Sequence, residues 1–312
     1  VSAISFYGRP PIRSSILPTR SGLILIKTNF YSPFRIISGE TAGSAPCRRG
    51  AMHFKRLAVA AIDIPLLYLY IMRLPAGYFF CLMAVVSFIA QWEFYSMYRV
   101  SGLLKYAGLL SGIAILGSSF YAKDLLMTVL FGSLMMLMII RLMVIRTPLY
   151  ALHNLAAPLT GILYVPGLLL FQGQARTIGP EWIIFLYTTV WASDSMAYYI
   201  GKGFGKSRLY KEVSPNKTVA GAFGSLLGGM IGALIMKASI IPALSLMQAL
   251  STGIIIGAVA VIGDLIESMF KRDAGVKDSS IIIPGHGGML DKIDGSLFAG
   301  PALYWLLAII KI

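Results

Sequence analysis

Long apolar stretches separated by short polar segments constrain this chain more than any other feature of its sequence. Nine of them follow one another after residue 57, and most approach the roughly 20 residues that a helix needs to cross a bilayer. Charged residues make up 13% of the chain, about half the usual fraction in soluble domains, and the mean hydropathy is +0.75. This pattern predicts an all-α, polytopic membrane bundle of about nine transmembrane helices. The predicted spans are 57–72, 75–95, 103–121, 124–144, 150–171, 181–200, 219–236, 245–263 and 296–311.

The distribution of Lys and Arg gives an independent test of this span count. If the Met52 end lies in the cytoplasm, fifteen of the Lys and Arg residues after Met52 fall on the cytoplasmic side and five on the other. Basic residues are enriched in cytoplasmic loops, so the split supports the count and accounts for the net charge of +14 without a nucleic-acid partner. The two longest loops, 201–218 and 264–295, then face the cytoplasm. We expect a multi-pass protein of the bacterial inner membrane.

Residues 1–51 differ from the rest of the chain. They contain six Arg, eight Ser and a single acid, Glu40, and they lack an apolar stretch long enough for a signal peptide. Two interpretations remain open: the true start is Met52, which we favour, or the segment is a transit peptide and the protein enters an organelle membrane. On either interpretation we expect one transmembrane catalytic domain, 52–312, with its polar signature at 264–294.

The polar stretch 264–294 contains the acids most suited to chemistry. If the eighth helix continues past residue 263, four polar side chains share one of its faces: Asp264, Glu267, Ser268 and Lys271. Asp291 and Asp294 share a face at the start of the next helix. Carboxylates from two helix ends suit Mg²⁺, which takes oxygen ligands and substrate phosphates. A solvated loop with incidental ion pairs is the alternative, but unpaired acids at a membrane edge are costly and usually functional.

Glycine-rich segments adjoin these acids. The segment Pro284-Gly285-His286-Gly287-Gly288 predicts a close backbone approach to a ligand, such as a phosphate before a helix N-terminus, although a tight turn would look the same. His286 could bind a phosphate oxygen, position an acid or make a structural hydrogen bond. The two cysteines and three histidines share no metal-ligand spacing.

A second group of candidates lies between the sixth and seventh predicted spans. Lys217 and Thr218 are candidate phosphate contacts, although Lys217 also fits a plain basic loop, and the glycines after it could serve only helix packing. The segment 201–207 fails the Walker pattern, because a glycine would be required at Ile200. Asp194 lies inside a predicted span, where a charge usually faces the bundle interior.

The chain resembles the phosphatidate cytidylyltransferase family, also called the CDP-diacylglycerol synthase family. The signature residues are Ser268, Lys271-Arg272, Lys277-Asp278, Pro284-Gly285-His286-Gly287-Gly288, Asp291 and Asp294, all at the family spacing. The resemblance continues upstream through Asp194–Tyr198, Ser214–Thr218 and Gly263–Leu265, and covers about residues 52–312. The sequence departs from the family pattern at Lys292, Gly295, Asn216 and Ala220; the last puts in doubt a carboxylate beside Lys217.

The resemblance implies an enzyme that joins CTP and phosphatidate into CDP-diacylglycerol and pyrophosphate with Mg²⁺, and with a possible second cation. It implies that Asp264, Asp291 and Asp294 bind the metal, with Asp194 and Glu267 beside them, and that Lys271 and His286 act with Asp264 and Asp291 in catalysis. The substrate contacts that it implies are Lys217, Thr218, Ser268, Arg272, Lys277, Asp278, Gly287 and Gly288.

Two other functions remain open at this point. A related CTP-dependent lipid kinase would use similar loops but transfer the γ-phosphoryl group. An ion-coupled transporter would use acids within the spans, such as Asp63 and Asp194, but the acids and glycines concentrate in one loop instead of on broken helices at the midplane. A homo-oligomer is compatible with every one of these functions.

Overall fold

The structure, a computed structural model, describes residues 65–280 and 287–310. The helices in this part of the chain are α1 (described over 65–73), α2 (Ala76–Met97), α3 (Gly102–Tyr121), α4 (Leu126–Val144), α5 (Ala151–Tyr164), α6 (Pro166–Ile178), α7 (Pro180–Phe204), α8 (Val219–Ser239), α9 (Leu246–Asp273) and α10 (Leu290–Ile310). Segment 1–51, Asp63 and His286 lie outside the described residues, so the expectations about them stay predictions.

The described residues form an all-α membrane bundle. Within residues 65–280 and 287–310, seven helical segments are long and apolar enough to cross a membrane: Ala76–Met97, Gly102–Tyr121, Lys123–Val144, Ala151–Ile178, Val219–Ser239, Leu246–Asp273 and Leu290–Ile310. Each of them coincides with a predicted span. Helix α7 coincides with an eighth and has 25 residues, enough to cross, but it is more polar and carries Asp194. The predicted polytopic α-helical fold is therefore confirmed.

The fourth of these spanning segments, Ala151–Ile178, contains a break. Helix α5 ends at Tyr164 and α6 begins at Pro166, with Val165 between them. Proline has no backbone N–H to continue the hydrogen-bond ladder, but it fits the first position of a new helix. The two helices thus serve as one crossing.

Helices α9 and α10 extend beyond the predicted spans into the polar stretch 264–294, and both extensions carry candidate site residues. Helix α9 continues past residue 263 to Asp273, and α10 begins at Leu290 instead of near 296. Hydropathy falls where the charged residues begin, but the helical backbone hydrogen bonds continue there, and Lys271 pairs with acids on both helices. The eighth predicted helix therefore continues past residue 263, as the shared face of Asp264, Glu267, Ser268 and Lys271 requires.

The segment between α7 and α8 has more structure than the plain basic loop that was the alternative interpretation of Lys217. It folds into an antiparallel hairpin of β1 (Arg208–Tyr210) and β2 (Ser214–Thr218), in which Arg208 pairs with Thr218 and Tyr210 with Ser214. Strand β2 leads directly into α8, so the hairpin fixes the direction in which that helix begins.

Glycines allow α7, α8 and α9 to pack closely. A Cβ atom at Gly228 of α8 would overlap the carbonyl oxygen of Ala192 on α7, and one at Gly229 would overlap that of Gly253 on α9. Small residues are common where membrane helices approach each other closely. The glycines after Thr218 therefore serve packing, one of the two roles left open by the sequence, and they hold three site-bearing elements in register.

Candidate active site

Three helix ends meet at one end of the bundle and bring the candidate residues together. These are the beginning of α8, the last third of α9 and the beginning of α10. Helices α9 and α10 approach closely here, because Gly263 lies against the backbone carbonyl of Asp294 and a Cβ atom would come within 2.6 Å of that oxygen. The arrangement places side chains on rigid helix ends, where ligands are held more precisely than on a loop.

Three carboxylates form the centre of the site. Oxygen atoms of Asp264, Glu267 and Asp294 all lie within 4.8 Å of one another. Glu267 is completely buried, and the partner of its carboxylate in the described residues is the ammonium of Lys271. Acids packed this closely repel one another unless a cation lies between them. The group has the oxygen chemistry and spacing to hold a metal ion.

Two lysines flank the carboxylates. Lys217, at the end of β2, forms an ion pair with Asp264. Lys271 forms an ion pair with Glu267 one helical turn before it, and its Nζ also lies 2.7 Å from Asp291 Oδ1. Negative and positive groups thus alternate across the α8, α9 and α10 ends, as a site for a cation and phosphate groups requires.

Asp291 lies beside this cluster, not within it. Its Oδ2 atom accepts hydrogen bonds from Gly288 N at 2.7 Å, Ser279 Oγ at 3.0 Å and Ser279 N at 3.1 Å. These bonds hold the residues that flank segment 281–286 against the start of α10. Gly287 has φ of +84°, a left-handed conformation that favours glycine.

Other predicted site residues have local partners. Thr218 caps α8, since its Oγ1 accepts a hydrogen bond from Gly221 N at 3.1 Å, and Ser268 Oγ lies 3.4 Å from Asp264 Oδ1. Arg272 donates to the backbone carbonyls of Val213 and Val276 at 3.3 and 3.0 Å, which ties the end of α9 to the hairpin. Lys277 and Asp278 are exposed after α9, and Asp194 lies on α7, where its side chain is also exposed.

Asp273 lies on another face of α9 and has a separate partner. The hydroxyl of Tyr98 donates a hydrogen bond to Asp273 Oδ2 at 2.9 Å. Burial raises the pKa of Tyr98, and the hydrogen bond and the charge of Asp273 raise it further, so the hydroxyl stays protonated as a donor. This acid is therefore a natural comparison for the acids of the cluster.

Sequence reasoning missed one polar residue of the site, Glu93 on α2. Its carboxylate is completely buried and accepts hydrogen bonds from residues 279, 280, 289 and 290. A signal was present, because Glu93 is the only acid in predicted span 75–95, and acids inside spans are usually functional. Its partners lie nearly 200 positions away, and no spacing rule identifies them.

Comparisons with known proteins identify the family of the chain. The cytidylyltransferase family matches residues 54–310. A phosphatidate cytidylyltransferase of Staphylococcus saprophyticus is 33% identical over 229 residues, which cover 72% of this chain and 87% of that relative. Phosphatidate cytidylyltransferases of Synechocystis sp. and Bacillus subtilis are 44% and 40% identical over 131 residues, or 41% and 42% of this chain and 43% and 49% of those relatives. The resemblance found in the sequence is confirmed, and the chain belongs to the cytidylyltransferase family.

Proposed function

We propose that this protein is a phosphatidate cytidylyltransferase, which converts CTP and phosphatidate into CDP-diacylglycerol and pyrophosphate in phospholipid synthesis. One observation carries the proposal: Asp264, Glu267 and Asp294 converge between two lysines at the end of a membrane bundle. A site at the end of spanning helices is accessible to a lipid head group from the bilayer and to a nucleotide from water. Membership of the cytidylyltransferase family supports the same activity.

In the proposed reaction a phosphate oxygen of phosphatidate forms a bond to the α-phosphorus of CTP. The bond from that phosphorus to the β-phosphate oxygen breaks, and pyrophosphate leaves with the electron pair. Two anions must approach each other, so the main task of the protein is to position them and to neutralise their charge. No nucleophilic side chain is needed.

The basic residues around the cluster supply this neutralisation. Lys217 and Lys271 are partly buried and fixed by acids, so they are suited to hold phosphate groups in place. Arg272 and Lys277 lie at the open end of α9 and would attract the anionic substrates. The further contacts that we propose are Thr218, Ser268, Asp278, Gly287 and Gly288, and we propose that His286 acts in catalysis.

Mg²⁺ is the cation that we propose for the carboxylates. The convergence of three carboxylates within 4.8 Å supports a cation there, with Asp264, Glu267 and Asp294 as its ligands. Asp291 is a further proposed ligand: Lys271 holds it now, and a substrate phosphate that drew Lys271 away would free its Oδ1 atom. When bound, Mg²⁺ would neutralise phosphate charge and polarise the phosphoryl group.

We also propose an orientation in the membrane. The protein would lie in the bacterial inner membrane with the α9–α10 end facing the cytoplasm, where CTP is present, as the Lys and Arg distribution favours. Residues 52–312 would form a single catalytic domain.

The function is tested by measuring which phosphorus of CTP is transferred to the lipid. Purified protein in detergent receives phosphatidate, Mg²⁺ and CTP labelled at either the α- or the γ-phosphorus. We expect α-label in the lipid product and release of unlabelled pyrophosphate from α-labelled CTP. Incorporation of γ-label into the lipid would instead identify a lipid kinase, and no label in lipid from either CTP would refute the proposal.

A further inference from the structure

Glu93 is a buried carboxylate that contacts both sides of segment 281–286. Its Oε1 atom accepts hydrogen bonds from Ser280 Oγ at 2.5 Å and Met289 N at 3.0 Å, and its Oε2 accepts one from Leu290 N at 2.8 Å. The hydroxyl of Ser279, whose single proton is shared with Asp291, lies 3.2 Å from Oε2. Glu93 lies on α2, whereas these donors lie after α9 and at the beginning of α10. One side chain thus connects three parts of the fold.

The charge of Glu93 is compensated without a basic residue. Among the described residues it forms no ion pair, although its side chain has no exposure to solvent. A buried, ionised carboxylate is costly unless hydrogen bonds satisfy it. Its donors include two backbone N–H groups at the start of α10, where the helix dipole also favours negative charge.

The bonds of Glu93 and Asp291 are interlocked. Ser279 Oγ lies within hydrogen-bond distance of both carboxylates, and Gly288 N donates to Asp291 while the next two amides donate to Glu93. Gly288 is confined by this arrangement, since a Cβ atom there would come within 2.6 Å of Glu93 Oε2. Two acids therefore fix the start of α10: Glu93 binds its first amides from α2, and Asp291 binds Ser279 and Gly288.

We infer that Glu93 is a positioning residue, which anchors the start of α10 so that Asp291 and Asp294 face the acids of α9. Asp294 belongs to α10, whereas Asp264 and Glu267 belong to α9, so the spacing of the carboxylates depends on how α10 begins. A displacement of about 1 Å at a catalytic group is enough to lower a rate about a hundredfold. The anchoring is a property of the fold; its effect on the reaction rests on the proposed function.

Glu93→Gln tests the anchor, with Gln91→Met as the matched control. Gln91 is also buried on α2, but it donates to Tyr95 Oη and the Gly108 carbonyl, away from α10. In Glu93→Gln we expect hydrogen–deuterium exchange at Met289 and Leu290 to become at least tenfold faster, and the Mg²⁺ concentration for half-maximal product formation to rise about tenfold. In Gln91→Met both values should stay parental even if thermal stability falls.

The two measurements separate the possible results. Unchanged exchange at Met289 and Leu290 would overturn the anchor, and faster exchange with a parental Mg²⁺ midpoint would overturn the positioning role. If Glu93→Gln fails to insert, Glu93→Asp keeps the charge but shortens the side chain by one methylene, and the same two changes are expected and decisive. An inactive parental protein would refute the proposed function, while the exchange rates would still decide whether Glu93 anchors α10.

Discussion

At the scale of single residues, Lys271 links the two helices that build the site. It pairs with Glu267 on its own helix and with Asp291 on α10, and its side chain is largely buried. Glu267 has no other described partner for its charge. Because a buried ion pair leaves an uncompensated charge when one member is removed, Lys271 contributes to stability as well as to the proposed phosphate site.

Replacing Lys271 with Ala should therefore destabilise the fold. We expect a loss of about 3–5 kcal/mol in the free energy of unfolding, since Glu267 would remain buried without a counter-charge. Thermal unfolding in detergent measures this effect. Lys211→Ala, at an exposed position of the hairpin loop, should change stability by no more than about 0.5 kcal/mol. Equal stability of the two variants would show that the buried pair is unimportant.

Residue spacing predicted part of this site and could not predict the rest. The i, i+3 and i+4 spacing placed Asp264, Glu267 and Lys271 on one face, and the structure brings Asp294 to that face from α10. It could not show that Asp291 lies beside the cluster, because that depends on donors from Ser279 and Gly288. Glu93 was missed because its contacts exist only after distant helices pack.

At the scale of elements, the packing of α7 against α8 determines where Lys217 and Thr218 lie. Gly228 of α8 touches the backbone of α7, and a Cβ atom there would overlap the Ala192 carbonyl. Backbone atoms cannot move aside as flexible side chains do, so the helices would have to separate. Overpacking of this kind typically costs about 1–3 kcal/mol.

Gly228→Ala should accordingly lower the unfolding temperature and reduce activity, because the beginning of α8 would shift. Gly132→Ala on α4 is the matched control: nothing lies within 4 Å of the added methyl group, and Ala favours a helix. Thermal unfolding of both variants decides the matter. A Gly228→Ala protein as stable as Gly132→Ala would contradict close α7–α8 packing.

Hydropathy predicted which segments are helices better than where they end. Predicted span 245–263 ends just before Asp264, but α9 continues to Asp273. Predicted span 296–311 begins just after Asp294, but α10 begins at Leu290. The hairpin of β1 and β2 gave no clear signal, because its strands are short and pair with a register irregularity. Both differences concern polar segments that are stabilised by tertiary contacts.

At the scale of the whole molecule, the charge distribution predicts that the hairpin end of the bundle faces the cytoplasm. Single cysteines can test this in a chain whose Cys47 and Cys81 have been replaced. Lys206→Cys, between α7 and the hairpin, should resist a membrane-impermeant thiol reagent added to intact spheroplasts. Lys237→Cys, at the opposite end of α8, should react. The reverse pattern would invert the proposed orientation.

The central claim is that the carboxylates at the α9–α10 junction form the cation-dependent catalytic site, and substitution of one acid tests it most directly. The measurement is the rate of CTP-dependent lipid product formation over a Mg²⁺ titration, for Asp264→Asn and for Asp273→Asn on the same helix. Loss of a metal ligand should remove several kcal/mol of transition-state stabilisation, so Asp264→Asn should be slower by roughly a thousandfold or more, with normal membrane insertion. Asp273→Asn should stay near the parental rate, because its amide oxygen can still accept the Tyr98 hydrogen bond. A near-parental rate and an unchanged Mg²⁺ requirement in Asp264→Asn would contradict the account.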